Sequence, residues 1–147
     1  MSREQPPSRS DYQWFTDITT RWSDNDIYGH VNNVVYYSYF DSIANSFLIA
    51  NGGLDIHDGD TVGFVVNSSC SYFSPIEFPQ RLTGAMRADR LGSSSVQYGL
   101  AIFAEDAEIA SAAGTFTHVF VDRVENRPVP IPDAIREALT SISAETP

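Results

Sequence analysis

Two carboxylates two residues apart, Asp24 and Asp26, precede Gly29, His30 and the pair Asn32–Asn33, and a long apolar-periodic stretch starts at Val34. A carboxylate can attack an acyl carbon directly or activate a water that does so. A helix start offers unpaired backbone N–H groups and a partial positive charge, which polarise a carbonyl oxygen and stabilise the oxyanion formed on attack. Asp26 lies seven residues before Asn33, across a loop containing Gly29, so the chain can fold the acid back beside that end. No other stretch combines these ingredients. Aspartate is also a common turn and cap residue, so the pair reads equally as loop structure, and spacing alone names no substrate.

The elements that must hold this loop can be read on either side of it. Residues 14–22 (WFTDITTRW) are rich in aromatic and β-branched types and predict a strand. From Val34 to about Ala50, Tyr36, Tyr37, Phe40, Ile43, Ala44, Phe47 and Leu48 recur at three- and four-residue spacing, one face of a helix. Asn32 or Asn33 suits its N-cap, and Asn51-Gly52-Gly53 its stop. Residues 61–74, 80–90, 96–102 and 108–121 predict four further strands, with turns at Leu91-Gly92-Ser93 and Glu105-Asp106. The proline-rich stretch from Arg127 leads to a short helix after Pro132. Hairpin-spaced strands must bury one face, and a single long helix is available for it. The expected fold is therefore α+β, an antiparallel five-stranded sheet wrapped around one central helix. Residues 1–12 read as a polar tail and 13–147 as one domain.

Composition narrows the function. The formal charge of −10 argues against nucleic acid, whose phosphates need net basic surface. All nine basic residues are arginine, the side chain that grips phosphate with two parallel hydrogen bonds. No run of 18 apolar residues and no signal-peptide core occur, so no membrane partner is expected. One cysteine, Cys70, allows no internal disulfide and fits the cytoplasm. It lies in a strand without a histidine nearby in sequence and reads as core rather than nucleophile. His57 and His118 lack ligand-spaced partners, so no metal or other cofactor is expected.

The run Asp24-Asn25-Asp26-Ile27-Tyr28-Gly29-His30-Val31-Asn32-Asn33-Val34-Val35-Tyr36, followed by Tyr39-Phe40-Asp41, resembles the D-x-D-x-x-G-H-V-N-N-x-x-Y signature of hotdog-fold acyl-CoA thioesterases of the 4-hydroxybenzoyl-CoA thioesterase family. The strand–helix–four-strand order and the tail Arg127-Pro128-Val129-Pro130-Ile131-Pro132 are similar to that family as well. The resemblance implies hydrolysis of an acyl-CoA to free acid and CoA. It places the nucleophile or general base on Asp26, the carbonyl-polarising backbone N–H on Asn33, and the turn on Gly29. His30, Asn32 and Tyr36 would line or brace the pocket, while Asp24 orders the loop. The segment from Arg87 to Ser95 resembles the family's strand–turn near the pantetheine and phosphates, making Arg90, Gly92 and Ser93 candidate CoA contacts and Arg123 and Arg127 weaker ones. The chain departs from the family at Ala44, where an arginine often pairs with the acid at Asp41. A homodimer or homotetramer with each site built from two chains is implied. Non-catalytic acyl-CoA binding and acyl-CoA hydration or dehydration remain alternatives, although the hydratase-type Asp-x-Asn-Pro-x-His run is absent.

Overall fold

The computed structural model describes residues 5–143. Five strands, β1 (Trp14–Thr19), β2 (Thr61–Tyr72), β3 (Arg81–Leu91), β4 (Ser95–Ala104) and β5 (Ala112–Asp122), form one antiparallel sheet in the order β1-β3-β4-β5-β2. The long helix α1 (Val35–Gly52) lies across it, and the short helix α2 (Asp133–Ser141) packs at the end of the sheet reached by the last residues of β3. This is the sheet around one long helix expected from the pattern, and the hotdog arrangement that the resemblance implies.

The buried face of α1 is the one read from its periodicity. Tyr36, Phe40, Ile43, Ala44, Phe47 and Leu48 are buried, and Tyr39 joins them. They meet Leu82, Met86, Val96, Tyr98, Leu100, Phe116 and Phe120 from the sheet in one core. Eighteen residues give α1 a length of about 27 Å. Its C-terminus stops as expected: Gly53 sits at φ 69°, where residues with a Cβ are strained, and its N–H bonds the Leu48 carbonyl. The start differs from expectation. The first helical residue is Val35, and Val34 already has helical angles (φ −67°, ψ −33°), so neither asparagine occupies the N-cap position. Asn32 still serves this end, because its Oδ1 accepts the Val34 N–H at 3.1 Å.

Other boundaries shift as well, and the last strand begins at Ala112 rather than at residue 108. The first strand ends at Thr19 rather than at residue 22, because the Thr20 hydroxyl donates to the Gln80 carbonyl and Trp22–Asp24 turn as a 3-10 helix. Residues 7–12, expected as a tail, are bonded to the body: Arg9 N–H donates to the Glu108 carbonyl, Ala110 N–H to the Pro7 carbonyl, and Tyr12 is buried against Phe103.

His118 is buried as well. Its Nδ1 shares a 3.1 Å hydrogen bond with the Tyr98 hydroxyl, and burial lowers its pKa to about 4, so the ring is neutral at physiological pH.

Helix and sheet approach closely at Gly84 of β3, where a Cβ would fall 2.6 Å from the Ile43 side chain of α1 and 2.9 Å from that of Ile18. Gly84→Val is therefore expected to lower unfolding stability by about 2 kcal/mol through overpacking. A denaturant midpoint equal to that of the wild type would show that α1 does not need this gap.

Candidate active site

The loop between β1 and α1 is built on Asp24, which is 1% exposed. One carboxylate oxygen accepts the Arg21 backbone N–H at 2.9 Å and the Tyr39 hydroxyl at 2.7 Å. The other accepts Nε and Nη2 of Arg21 at 3.1 and 2.9 Å. Its backbone carbonyl accepts the Asn32 N–H at 2.9 Å. Burial alone would raise the carboxyl pKa. The bonds from Tyr39 and from the Arg21 backbone and guanidinium outweigh it and hold the group below its ordinary value. Asp24 thus ties the two ends of the loop to each other and to α1.

Within that frame the chain makes a tight hairpin. Asp26 N–H donates to the His30 carbonyl, Gly29 N–H donates to the Asp26 carbonyl, and Tyr28 N–H donates to Asp26 Oδ1 at 2.9 Å. Gly29 closes the turn at φ 84°. Asp26 is half-buried, with one oxygen engaged by its own turn and Oδ2 without a partner among the described residues. The hairpin is anchored to the next segment by Val31 N–H on the Ile76 carbonyl and Phe78 N–H on Asn25 Oδ1.

Two depressions flank this hairpin. One, about 310 Å³, is lined by His30, Asn33 and Tyr36 from the loop and helix and by Tyr72, Phe73 and Pro75 from the far side. Among the described residues the Asn33 N–H has no hydrogen-bond partner. The other, about 800 Å³, contains Asp26 and Gly29 with Trp22, Ile27, Glu77 and Phe78. Asp26 and Asn33 therefore belong to one loop but open into separate hollows of the single chain. Trp22, Ile27 and Tyr28 are 76%, 94% and 80% exposed, an apolar surface around the acid.

The remaining candidates fall elsewhere. Thr19 pairs with Arg81, whereas Arg90 and the Gly92–Ser93 turn lie at the opposite end of β3, about 30 Å away along the strand. That turn is fixed by the tail: Ile131 N–H bonds the Ser93 carbonyl, and Arg136 Nη2 bonds the Gly92 carbonyl at 2.5 Å. Arg123 is occupied, because its guanidinium donates to the carbonyls of Gly59 and Ile56 at 2.7 and 2.6 Å. Among the described residues only the guanidinium groups of Arg81, Arg90 and Arg127 lack a protein partner. Asp41 Oδ1 accepts Asn45 Nδ2 at 3.1 Å. The half-buried Cys70 thiol is pushed up by burial to about 11 and holds little thiolate at neutral pH. No group of three or more His, Cys, Asp or Glu able to hold a metal occurs among the described residues, and no described helix is long and apolar enough to cross a membrane.

Sequence reasoning missed Tyr39 and Tyr72. Tyr39 was visible only as an aromatic on the helix. The Tyr72 hydroxyl donates to the Asn33 carbonyl at 2.9 Å across 39 residues of sequence, a contact with no local signal.

Asp24→Asn is expected to cost about 2–3 kcal/mol at pH 7, because it replaces the anion that four donors share. A carboxyl held below its ordinary value of 3.8 stabilises the fold above that pH, and the contribution is lost as pH falls through the folded value. The gap between wild type and variant should accordingly narrow on acidification below pH 4. A gap that is constant from pH 7 to pH 3 would show that the charge is not what matters.

Comparison with known proteins agrees with this geometry. Residues 20–139 match the model of the thioesterase-like superfamily. The structure of the PA5185 protein of Pseudomonas aeruginosa superposes with a TM-score of 0.94 at 54% identity, covering 97% of this chain and 99% of that one. A Thermus thermophilus thioesterase complexed with coenzyme A and zinc superposes at 0.73 with 26% identity, over 87% and 98% of the two chains. An uncharacterised Bacillus subtilis protein, YsmA, is 24% identical over 88 residues, a match that spans 60% of this chain and 59% of YsmA. The chain belongs to the thioesterase-like superfamily.

Proposed function

We propose that the protein hydrolyses an acyl-CoA thioester to a free carboxylic acid and CoA. The observation that carries this reading is the unpartnered Asn33 N–H at the start of α1, opening onto a hollow walled by Tyr36 and Tyr72 and set beside an acid with a free oxygen. The thioester lies over the hairpin with its carbonyl oxygen on the Asn33 N–H, where the helix end favours the developing negative charge. Asp26 acts as nucleophile or general base through Oδ2, while its Oδ1 stays on the Tyr28 N–H and keeps the carboxylate oriented. His30 and Tyr36 wall the acyl side, and Asn32 braces the helix start. The coenzyme A bound to the Thermus thioesterase supports CoA as the carrier.

The site is completed by a second copy of the chain. The outer edge of β2 is a 12-residue strand with Phe64, Val65 and Val66 exposed at 46%, 43% and 58%, an edge that soluble proteins pair or cover. A two-fold axis beside β2 would pair it antiparallel with its copy and set the Thr61 end of one strand beside the Tyr72 end of the other. The partner's sheet end that carries the Gly92–Ser93 turn is thereby brought toward the Asn33 hollow. Arg90 and Arg127, whose guanidinium groups are free, are the candidates for the CoA phosphates from that side.

Two outcomes test this. Asp26→Asn should lower kcat for thiol release by at least about 100-fold while the unfolding midpoint stays near the wild type; near-normal turnover would sink the assignment. Light scattering should give at least twice the 16.3 kDa chain mass, and a monomer would refute a site shared between chains.

A further inference from the structure

The peptide unit joining Asn33 to Val34 is gripped at both ends by side chains. Its carbonyl accepts the Tyr72 hydroxyl at 2.9 Å, and its N–H, on Val34, donates to Asn32 Oδ1 at 3.1 Å. Side chains rarely hold both groups of one peptide in the first turn of a helix, where water or a single cap usually serves. With this unit fixed, rotation about the backbone bonds of Asn33 is restricted on its C-terminal side. On its N-terminal side, Asn32 is pinned by its own N–H on the Asp24 carbonyl. The Asn33 N–H is the donor left between these two restraints.

Tyr72 brings more than a hydroxyl. It is the last residue of β2, its ring stands edge-on to Tyr36 with centroids 4.9 Å apart, and both rings line the hollow into which Asn33 opens. Burial raises the Tyr72 pKa further above its ordinary value, so the hydroxyl keeps its proton and stays a donor.

Resting on the thioesterase reading above, we propose that Tyr72 is a positioning residue: its hydroxyl aims the Asn33 N–H at the thioester carbonyl oxygen, and its ring forms a wall of the acyl pocket. Because Tyr72 belongs to the edge strand, the aim of that donor is also coupled to whatever pairs with the edge.

Two measurements separate this proposal from the reading it rests on. The first is steady-state thiol release from benzoyl-CoA and octanoyl-CoA. Tyr72→Phe keeps the ring and loses the hydroxyl, so kcat should fall about 5- to 10-fold with KM within about twofold of the wild type. Tyr72→Ala also removes the wall and should raise KM. Asn32→Ala releases the other end of the same peptide, so its effect on kcat should be less than multiplicative with that of Tyr72→Phe. The second measurement needs no turnover. In an Asp26→Asn background, adding either thioester should shift the Asn33 amide resonance in a ¹⁵N–¹H spectrum, and Tyr72→Phe should abolish or reduce that shift. An Asn33 shift that depends on Tyr72, with no thiol released by the wild type, would keep the positioning role and reject hydrolysis. Wild-type kcat in Tyr72→Phe, or an Asn33 shift unchanged by it, would overturn the proposal.

Discussion

One buried carboxylate sets the position of everything that could do chemistry in this chain. Asp24 accepts bonds from the residue that begins the loop, Arg21, and from the helix the loop leads into, through Tyr39. The Asn32 N–H on its backbone carbonyl closes the circuit. A charge removed from water is tolerated only when its oxygens are satisfied, and here satisfying them requires loop, helix and arginine to be in register. The hairpin from Asp26 to His30 is therefore presented from a rigid base although its own tip is exposed. Asp26, two residues further on, differs in what its oxygens meet: one closes a turn, and the other faces an open hollow. Two identical side chains are thus set apart by their partners, one with both oxygens satisfied and one with an oxygen free among the described residues.

The sheet adds a second constraint. Its strand order places β2, the last element of the Asn33 hollow, at an outer edge. Edge strands with exposed valine and phenylalanine are unstable surfaces in isolation, so the fold presents a site and an unpaired edge at the same place. Arg90, one of the guanidinium groups free to meet phosphate, sits at the end of β3 opposite Arg81 and the loop, about 30 Å along the strand in the same chain. A two-chain site accounts for both facts at once.

How much of this was legible in the sequence depended on range. Signals acting within a few residues read correctly: the apolar face of α1, the stop at Gly53 and the hairpin strands. The helix start was misplaced by one residue because Asn32 caps through its side chain while Asn33 and Val34 turn ahead of the first helical residue. Contacts between distant segments were not legible. Tyr39 and Tyr72 are ordinary aromatics in an alternating or helical pattern, and only the fold brings their hydroxyls onto Asp24 and Asn33. Arg123 looked free to bind phosphate and instead caps the loop around Ile56 and Gly59. Arginine type says what a side chain can hold, and the fold decides what it does hold.

In the proposed function this constellation turns over a thioester rather than only holding one. The most direct measurement follows free thiol from a panel of aryl- and alkyl-CoA substrates at substrate concentrations far above that of the protein. Hydrolysis predicts steady release of many thiols per subunit, with the preferred acyl group appearing as the highest kcat/KM. Saturable binding of the same compounds with no thiol released from any of them would contradict it.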